Sequence, residues 1–191
     1  MSTWTSKSPL ALIGALVLAG CVDSLATGPG RPPLTEFQMA SGKVTLSTPP
    51  GYCIDKRSVR RNGGEEFAVV ARCDTLGVRG SFAAHELALI TVTTAPSANG
   101  KPVVADLVNG TASPEVLDRK QSGGLVLVRF ATGGDRVDGV SQTHWRGLFA
   151  INGQLVGLGL YAPEGSPALQ REGAMLLSEL AERIRRASRS S

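Results

Sequence analysis

The dipeptide Asn152-Gly153 constrains this chain more tightly than any other feature. It separates two runs with strand character, residues 143–151 and 154–162. Asn-Gly is the preferred centre of a two-residue type I′ turn, whose twist matches that of the strands it joins. Such a turn also sets the register: Ile151 should face Gln154, Phe149 Val156, Gly147 Leu158 and Trp145 Leu160. Side chains alternate along a strand, so these residues share one apolar face that has to be covered. The opposite face then sets Leu148 across from Gly157, Arg146 across from Gly159 and His144 across from Tyr161. Two adjacent glycines there leave a shallow floor beside a base, a cation and a phenol.

The cover for the apolar face follows in sequence. Ser166-Pro167 pairs an N-cap hydroxyl with proline at the first helical position. Leu169, Leu176, Leu177, Leu180 and Ile184 then fall on one stripe at helical spacing, giving an amphipathic helix of about 20 residues. Strands are expected upstream over Lys43–Thr48, Glu66–Cys73, Glu86–Thr94 and Leu125–Phe130. Between Lys101 and Lys120, Val103, Val104, Leu107 and Val108 are spaced for a short helix, and Pro114 opens a further helical turn near Glu115. With 23 glycines and 11 prolines the chain suits a turn-rich, β-containing fold, and 191 residues suit one domain. The expected class is α+β: a single domain with an antiparallel sheet and the C-terminal helix packed on one face.

The N-terminus is of another kind. Lys7 precedes an unbroken apolar run, Leu10–Gly20, of eleven residues. A bilayer core needs about 20, whereas the apolar region of a secretory signal needs roughly 7–15. Leu18-Ala19-Gly20-Cys21 resembles a bacterial lipobox. That resemblance implies cleavage before Cys21, palmitate-type acyl chains on its sulfur, and a lipoprotein anchored in the bilayer and facing the periplasm. A buried apolar helix, or an ordinary signal beside a chance cysteine, are the alternatives. Val22 and Asp23 do not put aspartate directly after the lipidated cysteine, which favours the outer over the inner membrane. Residues 22–40, with Gly28-Pro-Gly-Arg-Pro-Pro33, read as a flexible tether spanning roughly 25 Å. The divisions expected are thus a signal at 1–20, a lipidated tether at 21–40, a globular domain at 41–187 and a tail at 188–191.

Once Cys21 is assigned to lipid, Cys53 and Cys73 are an even pair in an oxidising compartment, and a disulfide is the natural product. The alternative, a redox or metal pair, lacks a Cys-x-x-Cys spacing or a histidine nearby in sequence. Removing residues 1–20 takes away Lys7 alone, leaving 19 basic against 16 acidic side chains, too small and dispersed an excess for nucleic acid. No metal or cofactor is expected: there are two histidines, His85 and His144, and no P-loop, His-Glu-x-x-His or Gly-x-Ser-x-Gly pattern. Glu65-Glu66 and Asp135 with Asp138 lie at glycine-rich turns, where solvated charge is the ordinary reading. Arg183, Arg185, Arg186 and Arg189 complement the dipole at the end of the last helix and are candidates for a membrane or polyanion contact.

The order of strand, cysteine-bearing loop, strands, hairpin and long terminal helix over residues 41–187 resembles the Mog1, PsbP and DcrB group of sandwiches. That resemblance implies a sheet with helices on its faces and a binding or accessory role. Gly51-Tyr-Cys-Ile-Asp55 with Phe67-Ala-Val-Val-Ala-Arg-Cys73 is also similar to a small group of exported alphaproteobacterial proteins, which brings no activity with it. Two functions follow. One is a non-enzymatic envelope module that binds a protein, peptidoglycan or lipid partner, with His144, Arg146, Gly157, Gly159 and Tyr161 as its candidate surface; the alternative for that surface is a solvated sheet face, or one covered by another segment. The other is a small hydrolase with His144 as base and Ser141 or Ser81 as nucleophile.

Overall fold

The computed structural model describes residues 1, 32–78, 87–97, 102–108, 115–133 and 138–189. Seven strands form one antiparallel sheet in the order β3-β4-β5-β9-β8-β7-β6. They are β3 (Tyr52–Asn62), β4 (Glu65–Arg72), β5 (Leu89–Pro96), β6 (Val116–Ser122), β7 (Leu125–Phe130), β8 (His144–Ile151) and β9 (Gln154–Tyr161). A second, two-stranded sheet pairs β1 (Glu36–Met39) with β2 (Val44–Ser47). The fold is α+β, with the C-terminal helix α2 (Arg171–Arg189) on one face of the large sheet.

The β8–β9 hairpin has the expected register, from Ile151 opposite Gln154 to Trp145 opposite Leu160. Asn152 and Gly153 have φ of 48° and 70°, the left-handed conformation that both central residues of a type I′ turn require. The Asn152 amide also donates to the carbonyls of Lys43 and Ser188, which ties the turn to β2 and to the end of α2. Trp145, Phe149, Val156, Leu158 and Leu160 bury against Leu177, Leu180 and Ile184 of α2, together with Tyr52, Val70, Ile90 and Leu46. Trp145 is fully buried and its Nε1 donates to the Gln170 carbonyl at 3.1 Å, so even the core indole is satisfied. Ser166 caps a short 3-10 turn at Pro167–Leu169 by accepting from the Ala168 N–H, and α2 follows.

Four expectations are corrected. The stretch carrying Cys53 is not a loop but the eleven-residue strand β3. Glu115 opens no helical turn: β6 starts at Val116, as an edge strand whose Arg119 and Lys120 are exposed beside a half-buried Asp118. Edge strands are blunted by such charges, which also erase the apolar alternation that marks a strand in sequence. Part of the stretch read as tether belongs to the fold, since β1 lies within it and Ile54 N–H donates to the Leu34 carbonyl. At the other end α2 runs on through Ser188, a buried residue whose hydroxyl accepts from Thr45 N–H at 2.9 Å, so the fold does not stop at residue 187. The short helix does form, as α1 (Val104–Val108).

Candidate functional site

The second face of the large sheet is built differently from the first. At its β3 end Cys53 and Cys73 form a disulfide that packs with Val78 and Leu76. At the β6–β7 end Val104 and Leu107 of α1 cover Val126, Val128 and Phe130. Between these two small clusters lies a depression of about 250 Å³, lined by Thr91 and Thr93 of β5, Gly157, Gly159 and Tyr161 of β9, Arg146 of β8, and Leu107.

Gly159 is the centre of that depression. Thr91 pairs with it from one side and Arg146 from the other, so the three residues form a row across three adjacent strands. A side chain at Gly159 would put its Cβ 2.6 Å from the Thr91 hydroxyl and 3.2 Å from the Tyr161 hydroxyl. A Cβ at Gly157 would meet the Thr93 hydroxyl at 2.5 Å. The glycines therefore do not leave bare backbone. They make room for two threonine hydroxyls and a phenol to lean over the sheet, beside a guanidinium.

Arg146 is half-buried, with its guanidinium carbon 5.8 Å from the centre of the Phe130 ring. No carboxylate among the described residues forms an ion pair with it. The ring of His144 lies 5.5 Å from that of Phe130 and 5.5 Å from that of Tyr161, in a row of three stacked rings. It is 1% exposed; Nδ1 meets the Gln142 carbonyl at 3.0 Å, and Nε2 is buried without a hydrogen-bond partner. Burial, and after it the charge of Arg146, holds the imidazole below its ordinary pKa of 6.5, although the bond to Gln142 acts in the other direction. The buried, stacked ring is thus a supporting wall of the depression and not part of its lining.

The structure brings Arg146, Gly157, Gly159 and Tyr161 together, as the hairpin register requires, and places His144 behind them. Thr91, Thr93 and Leu107 were not among the sequence candidates. The alternating threonines of β5 were visible, but their partner strand β9 lies more than sixty residues away, and no local signal pairs the two.

The hydrolase arrangement is not assembled among the described residues. Ser141 donates its hydroxyl to Glu164 and accepts from Thr143 N–H, while His144 Nδ1 meets the Gln142 carbonyl instead. Ser81, His85, Asp135 and the lipobox with Cys21 lie outside the described residues. Of the terminal arginines, Arg183 pairs with Glu179 at 3.0 Å. Arg185 is buried over the Phe149 ring and bonded to Glu182, so it belongs to the core and not to a surface patch. Among the described residues no cluster of His, Cys, Asp and Glu is placed to hold a metal, and no helix is long and apolar enough to cross a membrane.

No family model matches the chain, and no curated protein does. Among solved structures, a mutant of the protein Mog1 is similar at 19% identity with a TM-score of 0.41, over 79% of this chain and 92% of that one.

Proposed function

We propose that the protein is a lipid-anchored, periplasm-facing envelope module that binds a partner and catalyses no reaction. Its N-terminal signal ends at Cys21, the thiol that would carry the acyl chains, and the outer membrane is the favoured site. The observation that carries the binding role is the depression around Gly159. It is a recess in the sheet where, among the described residues, no element covers it, Arg146 has no acidic partner, three hydroxyls line it and no base or nucleophile is positioned with them. The Cys53–Cys73 bond supports an oxidising compartment. A protein or peptidoglycan element of the envelope fits the reach of a short tether.

The anchor is tested by intact-mass analysis of protein extracted from membranes. A mature chain beginning at Cys21 with added acyl mass is expected. A chain that retains residues 1–20, or that starts at Cys21 with no added mass, would remove the anchor from the proposal. Incorporating a photocrosslinker at Thr93 in cells then tests the binding role. A discrete adduct that disappears when Arg146 is replaced by Gln is expected, whereas adducts indifferent to Arg146 would count against that role.

A further inference from the structure

The geometry points to Gly159 as the floor of an oxyanion site, which takes the carboxylate or phosphate group of a ligand whose apolar part lies against Leu107. This deepens the binding role proposed above and does not depend on the anchor.

Three observations converge. First, the donors are of the right kind and come from separate strands. The Thr91 hydroxyl (β5) and the Tyr161 phenol (β9) both approach the point where a Gly159 Cβ would lie, at 2.6 and 3.2 Å, and Arg146 (β8) pairs with Gly159 from the other side. A guanidinium offers a planar fork of N–H groups that matches an oxyanion, and hydroxyls supply further donors. Second, Arg146 lacks an acidic partner among the described residues although it is half-buried, and its one described ring contact is with Phe130. Partly desolvated arginines are ordinarily matched by a carboxylate, and a ligand anion would supply that match. Third, the surroundings restrain the donors. Tyr161 is stacked on the buried His144, whose other face meets Phe130, and Phe130 in turn carries Arg146. Donors held by packing need little ordering when a ligand arrives.

Size limits the ligand. About 250 Å³ is just below the range of drug-sized pockets and holds a group of roughly a dozen heavy atoms, and Leu107 makes one wall apolar. The end of a peptide with a free carboxylate and a glycerophosphate headgroup both satisfy this chemistry.

Calorimetric titration of the full-length protein in detergent distinguishes them, with three probes: N-acetyl-alanyl-alanine, its C-terminal carboxamide, and glycerol 3-phosphate. Saturable binding of the free dipeptide or of glycerol 3-phosphate is expected, and whichever binds identifies the source of the anion. The carboxamide, equal in shape and without charge, should bind at least tenfold more weakly than the free dipeptide if the dipeptide is the ligand. Arg146→Gln should weaken binding about ten- to a hundredfold, and Thr91→Val and Tyr161→Phe about three- to tenfold each. Arg186→Gln, on the exposed side of α2, should leave it unchanged. Gly159→Ala should abolish binding, and its own melting temperature separates loss of the site from loss of the fold, while Thr91→Val and Tyr161→Phe, which add no atom over the glycine, carry the test if that variant unfolds. Absence of binding by both anions, equal binding of dipeptide and carboxamide, or an Arg146→Gln variant that behaves like Arg186→Gln would each overturn the site. The intact mass of the same sample reports the state of Cys21, so a missing anchor and a missing site are separate results.

Discussion

The two faces of the seven-stranded sheet use the same strands and opposite principles. On the α2 side six of the seven strands, all but the edge strand β6, contribute to one continuous core, with Trp145, Phe149 and Leu160 meeting Leu177, Leu180 and Ile184. On the other side, residues one position along the same strands form two small clusters, around the disulfide and under α1, with a basin between them that no other described residue covers. Trp145 is fully buried and its neighbour Arg146 lines the basin. One face fixes the fold, and the other is free to carry chemistry because the first has already supplied the burial.

The largest effects should come from breaking the covered face. Trp145→Ala removes a fully buried ring and its bond to Gln170, and should cost roughly 3–5 kcal/mol in urea unfolding. A midpoint shift comparable to that of a surface variant would mean that the two faces are not unequal in this way. The disulfide ranks next. Cys53 and Cys73 are twenty residues apart, and replacing both with Ser should cost about 3 kcal/mol by releasing that loop in the unfolded chain. Reductant should destabilise the parent protein by a similar amount and leave the double variant unchanged.

His144 sharpens the comparison through pH. Its pKa is lowered in the fold, so the unfolded chain binds a proton that the folded chain resists. The contribution of His144 is therefore complete above about pH 6.5 and is lost as pH falls towards the folded value, at up to about 1.4 kcal/mol per pH unit. His144→Phe keeps a ring between Phe130 and Tyr161 and removes the titration. Stability profiles of parent and variant should diverge below pH 6.5, with the parent falling faster. Parallel profiles would show that burial does not lower the pKa of this ring.

How much of this was legible in the sequence depended on locality. The hairpin register, and with it the pairing of Arg146 with Gly159, followed from Asn152-Gly153 alone, and the α2 stripe followed from its spacing. The two edge strands were missed because β3 and β6 carry charged runs, Lys56-Arg57 and Asp118-Arg119-Lys120, where a buried strand would alternate. A signal was nevertheless present. Gly63-Gly64 and Gly123-Gly124, all with positive φ, are two-residue hairpin turns of the same kind, and each joins an edge strand to its inner neighbour. The site was half legible for a different reason. Its β8–β9 half is local, whereas Thr91, Thr93 and Leu107 arrive through pairings and packing between distant segments that residue types alone do not encode. His144 looked like an exposed base because hairpin geometry gives its face but not its burial between Phe130 and Tyr161.

The division between a structural and a binding face is tested most directly by methyl NMR of the full-length protein during titration with the anionic probes. The methyls of Thr91, Thr93 and Leu107 should shift and saturate together, while those of Leu177, Leu180 and Ile184 under α2 stay in place. Shifts confined to the α2 side, or spread equally over both sets, would contradict the account.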